Sequence, residues 1–258
     1  MRRLWTFLAV LMRFLIEHKR YPFNTLSALA TLYIVFLLLF AGARYAQGMG
    51  VDLFGEGLES LVVGYLVWTF AIIAYSDLSW EMMREAQQGT LEQLYMCPVG
   101  FRFVSASWIV ASFLVSLLWV AVLLGLMTLT TGRLLRLPLG TVLPLLLLTV
   151  APVYGIGFVM AGLALVYKRI QAFFQVLQFV FVALVALPAD APWGKALPLA
   201  LGTRLLGRVV VDGETLTTLP LGDLLALVGT AVFYLAVGVA VFRVFEGVAK
   251  DRGLLAHY

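Results

Sequence analysis

The feature that most constrains this chain is a set of long apolar runs, each about 18 residues or more with few or no charges. As an α-helix, such a run crosses the ~30 Å hydrocarbon layer of a bilayer. Inside that layer only helices and closed barrels satisfy their own backbone groups. The pattern places six spans at residues 26–43, 58–75, 103–127, 139–167, 170–187 and 224–242. Composition agrees: 62% of residues are hydrophobic and 12% charged, where soluble domains run nearer half and a quarter. The expected fold is an all-α integral membrane protein, one domain over residues 1–258. Pro144, Pro152, Gly155, Gly157 and Gly162 in the fourth span are compatible with this, because neighbouring helices re-satisfy freed carbonyls and small residues permit close packing.

Two further helices are expected beside the spans. Within residues 1–21, Leu4, Phe7, Leu8, Leu11, Phe14 and Leu15 recur at helical spacing, with Arg3, Arg13, Glu17 and Arg20 largely off that stripe. This is the pattern of an amphipathic helix lying at the membrane interface, with Pro22 and Asn24 breaking it from the first span. The alternative is that it simply continues that span. Between spans five and six, Pro188, Pro192, Pro198 and Pro220 punctuate the chain. Residues 197–211 are apolar but too short to cross, and Arg204 and Arg208 interrupt them. They fit a re-entrant or interfacial helix.

Six spans put both termini on one side. Of the lysines and arginines, 12 fall with the termini and six on the other side, which places the termini and segment 80–98 in the cytoplasm of a cell inner (plasma) membrane.

Segment 80–98, WEMMREAQQGTLEQLYMCP, is a polar, helix-forming stretch between apolar runs. Residues 80–88 are good helix formers, and Glu81 has Arg84 within pairing distance along the helix. Gly89 stands where a C′ glycine ends a helix. Thr90-Leu91-Glu92-Gln93 fits a capping box that starts another, and Pro98 stops it. The second helix, near 91–96, is too short to stand alone and must dock on the membrane, on this chain or on a partner.

Several chemistries lack their residues. The single Cys97 allows no internal disulfide, and the two histidines, His18 and His257, lie near the chain ends. No zinc-protease motif, phosphate-binding glycine loop or dense basic block occurs, so catalysis, bound cofactor, metal, ATP hydrolysis and nucleic-acid binding are not expected of this chain. Asp77 and Asp223 stand at expected span ends, which disfavours an ion-driven transporter. Candidate path residues are Tyr65, Trp68, Thr69, Tyr154, Gln171, Gln175 and Gln178. The three glutamines share one face of the fifth span, where they either hydrogen-bond between helices or line a conduit.

Glu85, Gly89, Thr90, Leu91, Glu92, Leu94 and Pro98 stand in the order of a signature between the second and third spans of type-2 ABC exporter permeases, and the layout of the whole chain resembles that family. The resemblance implies a permease subunit that exports a hydrophobic or amphiphilic substrate. It further implies a separate ABC ATPase subunit that holds ATP and magnesium, and a second permease copy, identical or homologous. These seven residues would then couple the ATPase to the spans, with the N-terminal helix flanking them. The importer pattern, Glu-Ala-Ala followed by a later glycine and Ile-x-Leu-Pro, does not fit, because Gly89 follows Glu85-Ala86 too early. A membrane anchor or assembly factor and a membrane-embedded enzyme are the rival classes.

Overall fold

The computed structural model describes residues 2–49, 58–88, 90, 93, 94, 96–132, 137–167, 170–187 and 194–251. Among them the chain is helical: α1 (Arg2–Arg20), α2 (Pro22–Gly48), α3 (Leu58–Gln87), α4 (Phe101–Thr131), α5 (Leu139–Tyr167), α6 (Gln171–Ala186), a 3₁₀ turn (Gly194–Ala196), α7 (Ala200–Val211) and α8 (Leu221–Asp251). Five of them, α2, α3, α4, α5 and α8, are long and apolar enough to cross a membrane. This is the architecture of a multi-pass helical membrane protein.

Helix bounds differ from the expected ones where polarity and helicity part company. The expected second span, 58–75, and the first helix of segment 80–98 are one 30-residue helix, α3. Asp77 interrupts hydrophobicity there without interrupting the backbone ladder. At 1.5 Å per residue α3 is about 45 Å long, so its last ten residues or so project beyond a ~30 Å hydrocarbon layer. The last span likewise continues through its polar tail to Asp251, with Lys250 paired to Glu246 at 2.6 Å. The first span begins at Pro22, whose fixed φ suits a first helical position, and runs to Gly48. The third covers 101–131 rather than 103–127. α6 is a 16-residue helix, about 24 Å, and falls short of a full crossing length.

The core is centred on α5. Its most extensive partner is α8, followed by α3. Gly155 lies against Tyr234 and Gly238, and Gly162 against Phe242 and Phe245, so α5 and α8 run parallel. A Cβ at Gly155 or Gly238 would land on the other helix's backbone. Small residues at this crossing bring the two backbones together, as helices in lipid commonly do. On α5's other side, Gly157 takes Tyr75 and Ser79 of α3, and the Ser79 hydroxyl donates to the Gly157 carbonyl at 3.3 Å.

Parallel packing has a topological consequence. The chain leaves α5 at Tyr167 and must return to the side where α5 starts before α8 begins. α6 runs in that direction. Its Phe174 packs on Trp80 and Tyr75, Gln178 accepts from the Trp68 indole at 3.4 Å, and Val185 reaches Gly64. It therefore lies antiparallel along α3. α7 is a buried plug: Leu201, Leu205, Leu206, Val209 and Val210 are buried in the main core, against α5 and α3.

α1 forms as expected, but its environment differs from a helix lying free on a membrane. Val10, Leu11 and Phe14 pack into a cluster with Phe101, Val104 and Trp108 of α4. Leu4, Trp5, Met12, Leu15 and Ile16 remain exposed. Arg13, off the apolar stripe of this helix, pairs with Glu81 and Glu85 of α3.

Substituting Gly155→Ala should destabilise the protein by ~1–3 kcal/mol through overpacking. Gly42→Ala, on α2 with nothing within 4 Å, should be neutral or slightly stabilising. Thermal unfolding of the two variants in the same detergent checks this contrast.

Candidate functional site

The candidate coupling site is built at the polar end of α3. Glu81 and Glu85 are four residues apart and so share a face, and both are buried, each 5% exposed. A buried carboxylate is costly unless paired. Glu85 has no basic residue one turn before it, since position i−4 is Glu81 itself. The cation comes from α1: Arg13 donates to Glu85 Oε1 at 2.9 Å and to Glu81 Oε2 at 3.2 Å. Arg84 closes the arrangement, reaching Glu17 of α1 at 2.6 Å and Glu81 at 3.3 Å. Burial alone would lower the Arg13 pKa, but Glu81 and then Glu85 more than offset that, and it rises above its usual value. α1 and the end of α3 are thus tied by two arginines across three carboxylates. Charged hydrogen bonds are each worth ~1.5–3 kcal/mol. Arg13 is 41% exposed, which puts its bonds toward the lower end.

The elbow grows from the same glutamate. The Thr90 N–H donates to the Glu85 carbonyl at 3.0 Å. That bond satisfies a carbonyl of the last turn of α3, one of those left without a partner inside the helix. The Thr90 hydroxyl donates to the Glu85 carboxylate. The acceptor is charged, which makes this the stronger kind of hydrogen bond. The Thr90 carbonyl does accept from Leu94 N–H at 3.2 Å, starting a helical turn as expected. Leu94 packs against the cluster of Val10, Met82, Phe101 and Phe242, so the elbow docks on this chain's own helices. Pro98 lies in an exposed turn. Gly100, at φ +86°, then turns the chain into α4, a conformation that side-chain-bearing residues rarely adopt. Gly89, Leu91 and Glu92 lie outside the described residues.

The candidate path residues are distributed differently. Tyr65 and Thr69 are buried on α3, with their hydroxyls donating to the carbonyls of Leu32 and Tyr65. Tyr154 is buried in the main core. Trp68 and Gln178 meet between α3 and α6, and Gln175 is exposed on α6. The side chain of Gln171 lies outside the described residues. The Trp68 indole bonds the backbone carbonyl of Gln178 and its ring packs on Tyr65 at 5.2 Å, so these contacts, like those of Thr69 and Tyr154, belong to helix packing.

No family model matches the chain, and no curated protein matches its sequence. The Glu81–Arg84 pair expected along α3 forms at 3.3 Å, and two participants on α1, Arg13 and Glu17, escaped the sequence reading of the candidate site. The available signal was Glu81 and Glu85 at i, i+4 on a helix with Arg84 as its single cation, which leaves one buried negative charge to be met from elsewhere.

Arg13→Ala should cost ~2 kcal/mol by leaving two buried carboxylates short of a donor. Combined with Glu85→Gln the losses should fall short of additive by about 1 kcal/mol, because the two residues share an interaction. A double-mutant cycle on unfolding in detergent reads this directly.

Proposed function

We propose that this chain is the permease subunit of an ABC exporter, carrying a hydrophobic or amphiphilic substrate outward with ATP hydrolysed on a separate subunit. The observation that carries the reading is the junction at Glu85. One side chain joins the end of a membrane helix (α3), the N-terminal helix (α1, through Arg13) and the elbow (through Thr90). A push on an elbow tied in this way moves helices rather than a loose loop. Leu94, seated on the cluster that includes α4 and α8, extends the same linkage. Rigid elements with two arrangements are the physical means of coupling distant sites.

In this reading six helices cross: α2, α3, α4, α5, α6 and α8, with α7 re-entrant. The parallel packing of α5 and α8 supports α6 as the sixth crossing, short as it is, since a short span is accommodated by local thinning of the bilayer. Both termini and segment 80–98 lie in the cytoplasm, at an inner (plasma) membrane. Glu85, Gly89, Thr90, Leu91, Glu92, Leu94 and Pro98 form the coupling element. A second copy or a homologue completes the path, with Trp68, Gln175 and Gln178 on the α3–α6 face nearest it. Gln175 supports that placement, because an exposed amide on a lipid-facing helix gains a hydrogen-bond partner from a second subunit. ATP and magnesium belong to the ATPase.

Gly89→Pro should leave membrane insertion intact while abolishing export and weakening capture of the ATPase. Co-purification of the ATPase and ATP-dependent transport in reconstituted vesicles check it, and normal values of both would refute the assignment.

A further inference from the structure

A cavity of about 300 Å³ lies between α1, α2, α3 and α4, beside the coupling junction, whose Glu17, Glu81 and Arg84 form part of its wall. One part of its wall is polar and aromatic: His18, Asp77, Trp80 and Trp119. Another is apolar, formed by residues including Leu29 and Leu32 of α2. An amphiphile needs this combination, with a head subsite continuous with a tail subsite.

The charges on the wall are unbalanced. Among the described lining residues, Glu17, Asp77 and Glu81 stand against Arg84 and the His18 ring. Arg84 is held by both Glu17 and Glu81, and Arg13 by both Glu81 and Glu85. Asp77 accepts from the Ser112 hydroxyl but forms no ion pair with either arginine. Its position on α3, about 27 Å along from Glu59, is close to the far edge of a ~30 Å hydrocarbon layer, at headgroup depth.

We propose that this cavity binds the ammonium head of an amphiphile, with Asp77 as its counter-ion and the chain lying along α2. The site is independent of the ATPase assignment, and its test uses the purified chain without a partner, so the two readings fail separately.

The test titrates the protein in maltoside micelles with lysophosphatidylethanolamine bearing a brominated chain, and reads tryptophan quenching. Lysophosphatidylglycerol with the same chain serves as the control that lacks the ammonium. The ethanolamine lipid should quench saturably and the glycerol lipid should not. Asp77→Asn keeps the hydrogen bond from Ser112 and removes only the charge. It should weaken binding at least tenfold without lowering the melting temperature of the ligand-free protein, since the bond from Ser112 is kept. Ser112→Ala keeps the charge and should retain binding. Competition by dodecylamine as strong as by the unlabelled lipid would identify a phosphate-free amine as a sufficient ligand. Competition by the lipid alone would identify the bilayer as the source. Equal quenching by the two lipids, or unchanged affinity in Asp77→Asn, would overturn the proposal.

Discussion

Two buried glutamates on the last turns of α3 set the terms for everything around them. Glu81 and Glu85 sit where water is largely excluded, so their charges must be met by the protein. Arg13 of α1 meets both. That requirement fixes the rotation of α1, because turning it by one residue would swing Arg13 away by about 100°. It also keeps α1 against α4, with Val10 on the inner side. Removing a single partner from such an arrangement is worse than never having had it, because the remaining charge stays buried. The N-terminal helix is therefore a bound part of the bundle's polar end.

The elbow inherits this order. Glu85 receives Arg13 on its carboxylate, Thr90 on both its carboxylate and its carbonyl, and lies one turn from Glu81. Short helices cannot hold themselves in water, so the turn after Thr90 takes its position from Leu94 seated against Val10, Met82 and Phe101. Deeper in the bundle the constraint is different. There, glycine at positions 155, 157 and 238 lets α3, α5 and α8 approach to backbone contact, which makes α5 the axis on which the other helices lie. Charge orders the polar end and close packing orders the apolar one. α3 belongs to both, which makes it the element able to carry displacement from one to the other.

Much of this was legible in the sequence. The apolar runs gave the helices, and Pro22 gave the break after α1. What escaped was of two kinds. Hydropathy marks where a helix leaves lipid and says little about where it ends. Asp77 and Arg243 therefore looked like boundaries, although α3 and α8 continue to Gln87 and Asp251. Long-range pairing leaves no periodic trace: Arg13 and Glu85 are 72 positions apart, and only the shortage of a local cation hinted at the partner.

The central claim is that the elbow between α3 and α4 is the seat of an ATP-hydrolysing partner. Cys97 is the chain's only cysteine and lies in that elbow, so a photo-crosslinker can be placed there without altering any other residue. Irradiation of native membranes should join Cys97 to a polypeptide that also labels with an azido-ATP analogue, with a yield that differs between nucleotide-free and ATP-bound membranes. Adducts confined to lipid or to this chain, unchanged by nucleotide, would contradict the account.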